Sequence, residues 1–221
     1  MIPIRDTVKS RHVPAVTRTL VVVNVLVFLN QISLAEAQNA FIFTYGLVPA
    51  RYSVADLAAH FTLGQQCLSF ASFMFLHGSF WHLLGNMWFL HIFGDNVEDY
   101  LGHWRFLLFY FFSGLASGAT HFLSNLYSPV PAIGASGAVA GVMGSYFLLY
   151  PRARIVTLIP IVIIPYFVEI PAVIFLAFWF FMQLISATAE GVQASGVAWW
   201  AHIGGFLFGV VYTLVKRRVY E

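Results

Sequence analysis

The sequence predicts an all-α polytopic membrane protein, a bundle of six transmembrane helices with both termini in the cytoplasm. Composition carries this prediction: 60% of the 221 residues are hydrophobic and only 9% are charged, whereas soluble domains are roughly 25% charged. The mean hydropathy is +0.80. Too few polar residues remain to cover a water-soluble surface, and the high apolar content also excludes a disordered chain.

Six apolar stretches can each cross a bilayer, which takes about 20 residues. The second stretch is longer than one span and is broken near His77, so we expect its first part to be a surface or re-entrant segment. Proline breaks helices, and Pro160, Pro165 and Pro171 delay the start of the fifth span. The predicted spans are about 19–33, a part of the run 67–93, 106–123, 132–150, 168–187 and 197–215.

The distribution of basic residues sets the orientation. With the N-terminus in the cytoplasm, ten of the eleven lysines and arginines lie inside and only Arg51 lies outside, as the positive-inside rule requires. Trp199 and Trp200 then lie at the outer interface, where aromatic side chains concentrate. This assignment gives a cytoplasmic segment at 1–18, a membrane domain at 19–215 and a basic cytoplasmic tail at 216–221.

An alternative for the N-terminus is a cleaved signal peptide, with its apolar core at 20–29 and an A-x-A cleavage site at 35–37. The long segment before that core and its interruption by Asn24 favour a retained first span. The net charge of +2 argues against a nucleic-acid partner, and the single cysteine, Cys67, cannot form an internal disulfide. The oligomeric state is left open.

Polar residues inside membrane spans are costly and are therefore candidates for function. His82 and Asn86 lie four residues apart on the second span and share a helix face, with His77 near the same end. Ser136 and His202 lie near the outer ends of the fourth and sixth spans. Because spans two, four and six all enter from outside, these side chains can meet in one layer.

Such a layer is suited to nucleophilic catalysis, because a serine needs a base for its proton and the anionic intermediate needs hydrogen-bond donors. No carboxylate is expected there, since Asp95, Glu98 and Asp99 are predicted to form a solvated cytoplasmic face. The sequence therefore indicates a Ser136–His202 dyad. Each residue alone is more often explained by helix packing or buried hydrogen bonding, and it is their joint occurrence at one depth that favours catalysis.

Glycines spaced four apart support a close contact between two of these spans. Gly137 and Gly141 lie on span four, and Gly205 and Gly209 lie on span six. Small residues at this spacing let helix backbones approach. If the two pairs face each other, the candidate serine and histidine come within hydrogen-bond reach.

Other chemistries are excluded by pattern. The chain has no H-E-x-x-H zinc motif and no glycine-rich phosphate loop. The G-x-S-x-G elbow fails because Ala138 stands where glycine is required. We therefore expect no metal and no cofactor.

Over about 69–215 the chain resembles the rhomboid family of intramembrane serine proteases. The resemblance implies that Ser136 is the nucleophile and His202 the general base. His82, Asn86 and the Ser136 backbone N–H resemble the oxyanion hole, which Gly134 shapes. The matching motifs are His77 with His82-x-x-x-Asn86, then Gly134-Ala135-Ser136-Gly137, then Ala201-His202-Ile203-Gly204-Gly205 followed by Gly209.

The resemblance also implies a rhomboid-like six-helix bundle without a cofactor, whose substrates are transmembrane proteins cut in or near their spans. Two features depart from the family pattern. Ala140 stands where many members stack an aromatic ring on the catalytic histidine, so something else must orient His202. The Trp-Arg pair of the first outer loop is missing, and Trp104-Arg105 lies on the cytoplasmic side instead.

Two alternative functions were weighed. An inactive rhomboid-like protein that binds membrane clients is disfavoured because both dyad residues are present. A transporter with a histidine proton path predicts inverted repeats, and the uneven spans show none clearly. The expected location is a multi-pass position in a prokaryotic plasma (inner) membrane.

Overall fold

The computed structural model describes residues 1–161, 164–189 and 197–220. These residues are mostly helical, with one antiparallel sheet of order β1-β2-β3. The strands are β1 (Ile2–Asp6), β2 (Arg154–Ile161) and β3 (Ile164–Pro171). The helices are α1 (Ala15–Ser33), α2 (Gln38–Tyr45), α3 (Ala50–Ser53), α4 (Ala55–Ala58), α5 (Leu63–Ser72), α6 (Phe80–Leu101), α7 (His103–Ser124), α8 (Ser136–Leu149), α9 (Ala172–Ala189) and α10 (Trp199–Tyr220).

Three of the described helices, α1, α7 and α9, are long and apolar enough to cross a membrane. A fourth span is present if α5, its following 3₁₀ turn (Phe73–Phe75) and α6 count as one broken span, bent by 75°. The bend lies at the break predicted near His77. α8 is apolar but has only 14 residues. The six-span count and the orientation therefore remain predictions.

The prediction of an all-α fold is wrong, because three strands of the chain form a sheet. The chain is mostly, but not entirely, helical. The fifth span was expected from about residue 168, but α9 begins at Ala172 and the preceding residues form the β2–β3 hairpin. The hairpin is rich in isoleucine and valine, which favour strands. Pro160 pairs with Pro165 beyond the end of β1, where β2 has no second neighbour that needs its N–H.

Helix α8 forms the centre of the molecule. Ten consecutive residues of α8, from Gly137 to Tyr146, are buried. The helix packs against α6, α7, α9 and α10. A helix that is apolar on every side is stable only when it is surrounded. This burial fixes the position of whatever lies at either end of α8.

The glycines of α10 pack on the backbone of the α8 glycines, a close crossing of the kind their spacing predicted, whereas a Cβ atom at Gly137 or Gly141 would point at Ser117 or Ser113 of α7. A Cβ atom added at Gly205 would collide with the carbonyl oxygen of Gly137, and one added at Gly209 would collide with that of Gly141. The two backbones therefore touch without side chains between them. This crossing sets the first turns of α8 and α10 side by side.

The acidic end of α6 differs from the predicted solvated face. Glu98 is only 1% exposed, and its carboxylate accepts hydrogen bonds from the backbone N–H groups of Val16 and Thr17 at 2.9 and 2.7 Å. These donors belong to the first turn of α1, whose N–H groups lack partners within the helix and favour a negative charge. Glu98 is therefore a structural cap that holds α1 against α6.

Candidate active site

Ser136 is the first residue of α8, and the backbone before it is tightly constrained. The Gly134 N–H donates to the carbonyl oxygen of Phe73 at 2.9 Å. Gly134 has φ of 126°, a region that glycine adopts readily and other residues do not. A Cβ atom at this position would also lie 2.7 Å from Nε2 of His82. Glycine is therefore required both for the turn and for the approach of the histidine.

The structure brings Ser136 and His202 together. His202 lies in the first turn of α10, and its Nε2 is 2.8 Å from Oγ of Ser136. The close crossing of α8 and α10 at Gly137 and Gly205 makes this short distance possible. The imidazole is thus placed where it can take the hydroxyl proton, the geometry that a general base requires.

The other ring nitrogen of His202 contacts a residue that the sequence analysis missed. Nδ1 lies 2.8 Å from Oε1 of Gln183 on α9. Two tryptophan rings border the imidazole: Trp179 lies 5.9 Å away with planes tilted by 33°, and Trp199 lies edge-on at 5.8 Å. A glutamine inside an apolar span is itself the signal that could have revealed this contact.

His82 and Asn86 lie one turn apart on α6 and face Gly134. The Gly78 N–H donates to Nδ1 of His82 at 3.4 Å, so a neutral His82 carries its proton on Nε2. The side-chain nitrogen of Asn86 is buried and has no hydrogen-bond partner among the described residues. Both side chains therefore present N–H donors beside Gly134, two residues before α8 begins.

His77 lies behind this layer. Its ring packs edge-on against His82 at 5.2 Å, and its backbone N–H and C=O bond the side chain of Gln31 at 3.2 and 2.6 Å. The side chain is fully buried. His77 thus packs against His82 from a buried position.

Ser136, His202, His82 and Asn86 line one cavity of about 330 Å³. Its lining comes mainly from α6, α8, α9 and α10, and most of the other lining side chains are apolar. Among the described residues, no group of three histidine, cysteine, aspartate or glutamate side chains is arranged to hold a metal ion. The cavity is lined by Trp81, His82, Gly85, Asn86, Phe89, Ser136, Val139, Met143, Trp179, Gln183, Val197, Trp199 and His202.

This arrangement places a serine hydroxyl, an imidazole and nearby N–H donors together between apolar helices. Comparison with known proteins agrees: the family described as Rhomboid domain matches residues 64–219. The chain belongs to the rhomboid family, whose members are mostly intramembrane serine proteases. The resemblance found in the sequence is therefore confirmed, and the matched region contains every candidate site residue.

Individual relatives match this chain at 26–35% identity over the aligned residues. Rhomboid protein 1, mitochondrial, from Saccharomyces cerevisiae is 30% identical over 147 residues, which are 62% of this chain and 38% of that protein. Presenilin-associated rhomboid-like protein, mitochondrial, from Homo sapiens is 26% identical over 192 residues, 80% of this chain and 45% of that protein. RHOMBOID-like protein 5 from Arabidopsis thaliana is 35% identical over 74 residues, 34% of this chain and 24% of that protein. The chain thus spans less than half the length of these relatives.

Proposed function

We propose that this protein is a serine endopeptidase that cleaves transmembrane segments of membrane proteins near the outer face of the bilayer. The observation that carries the proposal is the 2.8 Å contact between Oγ of Ser136 and Nε2 of His202, at a cavity that His82 and Asn86 also line. The alternative, an inactive rhomboid-like protein that binds clients, would not need this contact.

The reaction follows from the geometry. Oγ of Ser136 bonds to the carbonyl carbon of the scissile peptide while its proton passes to Nε2 of His202. The resulting oxyanion accepts hydrogen bonds from Nε2–H of His82, from the Asn86 amide and from the Ser136 backbone N–H. When the C–N bond breaks, His202 returns the proton to the leaving amine.

Deacylation uses the same groups in reverse. A water molecule gives a proton to His202 and attacks the acyl carbon, and the ester bond to Ser136 then breaks. His202 returns the proton to the serine oxygen, so the enzyme is regenerated. No step requires a cofactor or a metal.

The proposed topology is a six-span bundle with both termini in the cytoplasm, residues 1–18 and 216–221 flanking a membrane domain at 19–215. The chain is a multi-pass membrane protein. The relatives named above are eukaryotic, two of them with mitochondrial names, and do not support the expected prokaryotic plasma (inner) membrane. That location stays a prediction.

The proposed position near the outer ends of the helices also defines the substrate class. A peptide bond in a regular helix is shielded by its own hydrogen bonds, and unwinding costs least where freed backbone groups can find water. We therefore expect single-span substrates with small or helix-breaking residues near the outer end of the span.

Two assays test the proposal on protein reconstituted in lipid vesicles. A serine-directed fluorophosphonate should label the wild type and not Ser136→Ala. A reporter whose span is scanned with Gly or Pro should be cut best when the substitution lies near the outer end. Equal labelling of the two proteins would contradict the nucleophile, and cleavage at the cytoplasmic end would contradict the orientation.

A further inference from the structure

Gln183 is a buried polar residue on a helix that is otherwise largely exposed. Its side chain is 5% exposed, and both ends of its amide are bonded. The nitrogen donates to the carbonyl oxygen of Trp179 in its own helix at 2.9 Å, and the oxygen faces Nδ1 of His202 at 2.8 Å. Burying an amide without partners is costly, so these two bonds fix its position.

The two contacts also fix which end of the amide faces the histidine. If the amide were reversed, its oxygen would face the Trp179 carbonyl oxygen, and two acceptors would oppose each other. The Gln183 oxygen therefore points at His202. Since a carbonyl oxygen can only accept a hydrogen bond, the proton of a neutral His202 must lie on Nδ1.

The position of this proton determines what Nε2, the other nitrogen of the ring, can do. With its proton on Nδ1, the imidazole presents a free lone pair on Nε2, and Nε2 is the atom that lies 2.8 Å from Oγ of Ser136. The opposite tautomer would place an N–H against the hydroxyl and could not accept its proton. The identity of the tautomer thus decides whether His202 can act as a base.

The same helix also sets the tilt of the ring. Trp179 precedes Gln183 by one helical turn, and its ring lies beside the imidazole. On α8 the residue one turn after Ser136 is Ala140, which is fully buried and carries no ring to stack. The orienting contacts to His202 described here therefore come from α9 and from Trp199.

We infer that Gln183 is a positioning residue that holds His202 in the Nδ1–H tautomer and so keeps Nε2 available to Ser136. The inference rests on the proposed serine protease function. It predicts that the amide acts through its acceptor oxygen and not through its bulk. A purely structural glutamine would be replaceable by an apolar side chain of similar length.

The variant Gln183→Met keeps the length and removes the acceptor. We expect kcat to fall by up to roughly 10⁴-fold, the effect seen when an enzyme's catalytic histidine is left in the wrong tautomer, with KM little changed. Gln183→Glu restores an acceptor oxygen and should recover at least about tenfold in kcat over the methionine variant. Thr188→Val, which alters an exposed hydroxyl bonded to its own helix, is the matched α9 control and should behave as wild type.

A direct measurement removes the dependence on how well the variants fold. Nitrogen chemical shifts of ¹⁵N-labelled histidine, recorded at about pH 8 where an ordinary imidazole is neutral, distinguish the two tautomers. The His202 signal, assigned by its loss in His202→Ala, should report Nδ1–H in the wild type. An Nε2–H signal there, or a methionine variant with wild-type kcat, would overturn the inference.

These outcomes are separable from failure of the proposed function. If the wild type is not labelled by the fluorophosphonate, the protease proposal fails whatever Gln183 does. If the wild type is labelled and cleaves its reporter while Gln183→Met keeps full kcat, only the role of Gln183 fails.

Discussion

The two helices that meet at His202 are held in different ways. α8 is buried along ten consecutive residues, and its backbone is in direct contact with that of α10 at Gly205. Of the 18 residues of α9, only Ala172, Leu176 and Gln183 are buried. Ser136 and the backbone of His202 thus belong to a closely packed region, while the ring of His202 is oriented from a loosely packed one.

This difference shows which parts of the site tolerate little displacement. The Ser136–His202 distance depends on the contact between the α8 and α10 backbones. No side chain lies between these backbones that could move to make room for a larger residue. The orientation of the imidazole instead depends on one amide and one indole ring of α9 and on the ring of Trp199. We therefore expect changes in the α8–α10 region to abolish activity, and changes at the edges to reduce it by degrees.

The largest effect should come from the dyad itself. Ser136→Ala and His202→Ala should each abolish cleavage, and the double variant should be no worse, because the two groups act as a unit. Neither change touches the glycine crossing, so thermal unfolding in detergent should stay close to that of the wild type. Appreciable turnover by purified Ser136→Ala would exclude this serine as the nucleophile.

The next effect tests the packing that brings the dyad together. In Gly205→Leu the new side chain meets the carbonyl of Gly137, so α8 and α10 must separate and activity should be lost together with thermal stability. Gly137→Leu should also lose activity and stability, but by displacing α8 from α7, since its Cβ would meet Ser117 of α7. The matched control is Gly64→Leu, where the nearest atom to a new Cβ lies 3.9 Å away.

Full activity in Gly205→Leu would show that the crossing tolerates a side chain. It would contradict the expectation that the α8–α10 region tolerates less change than the edges of the site. Loss of activity in Gly64→Leu as well would mean that leucine is harmful at any glycine. Fluorophosphonate labelling of each variant separates a displaced dyad from a substrate that no longer binds.

Graded losses are expected on the oxyanion side. His82→Ala or Asn86→Ala should each lower kcat by up to roughly 10²–10³-fold, the usual effect of one lost donor. The smaller loss is expected at Asn86 if His82 and the backbone N–H suffice. Steady-state rates of both single variants and the double variant provide the measurement, and wild-type rates in all three would remove these residues from the site.

Much of the site could be predicted because the relevant signals are local or periodic. Ser136 and His202 each open a predicted apolar span, and the four-residue spacing of Gly205 and Gly209 indicates a close crossing wherever it occurs. The break near His77 was visible as an apolar run too long for one span. These features need no knowledge of the partner helix.

What the sequence analysis missed depends on contacts between distant segments. Gln183 contacts His202 only because α9 lies beside α10. Glu98 is buried only because the first turn of α1 packs against α6. The hairpin at Arg154–Ile161 and Ile164–Pro171 was not predicted, and its last residues were assigned to the fifth span, because its apolar residues satisfy the composition of a span as well as that of a strand. Helix and strand were not distinguishable there by apolarity alone.

The smallest predicted effect lies at the opposite end of α8, where Tyr146 donates to the carboxylate of Asp6 on β1 at 2.5 Å. Burial raises the pKa of Asp6 from its ordinary value of 3.8 to about 6. Between these values the folded protein binds the proton more tightly than the unfolded chain, so this group should lower the stability of the fold as the pH rises from about 4 through 6.

Asp6→Asn keeps the shape and an acceptor for Tyr146 but cannot titrate. The difference in thermal midpoint between the variant and the wild type, measured in detergent from about pH 4 to pH 8, should therefore grow in favour of the asparagine protein across this window. Tyr146→Phe removes the donor and serves as the control for the hydrogen bond alone. Since α8 is buried along its whole middle, the change should leave the Ser136–His202 contact and kcat untouched. Parallel pH curves for wild type and Asp6→Asn would show that folding does not raise the pKa of Asp6.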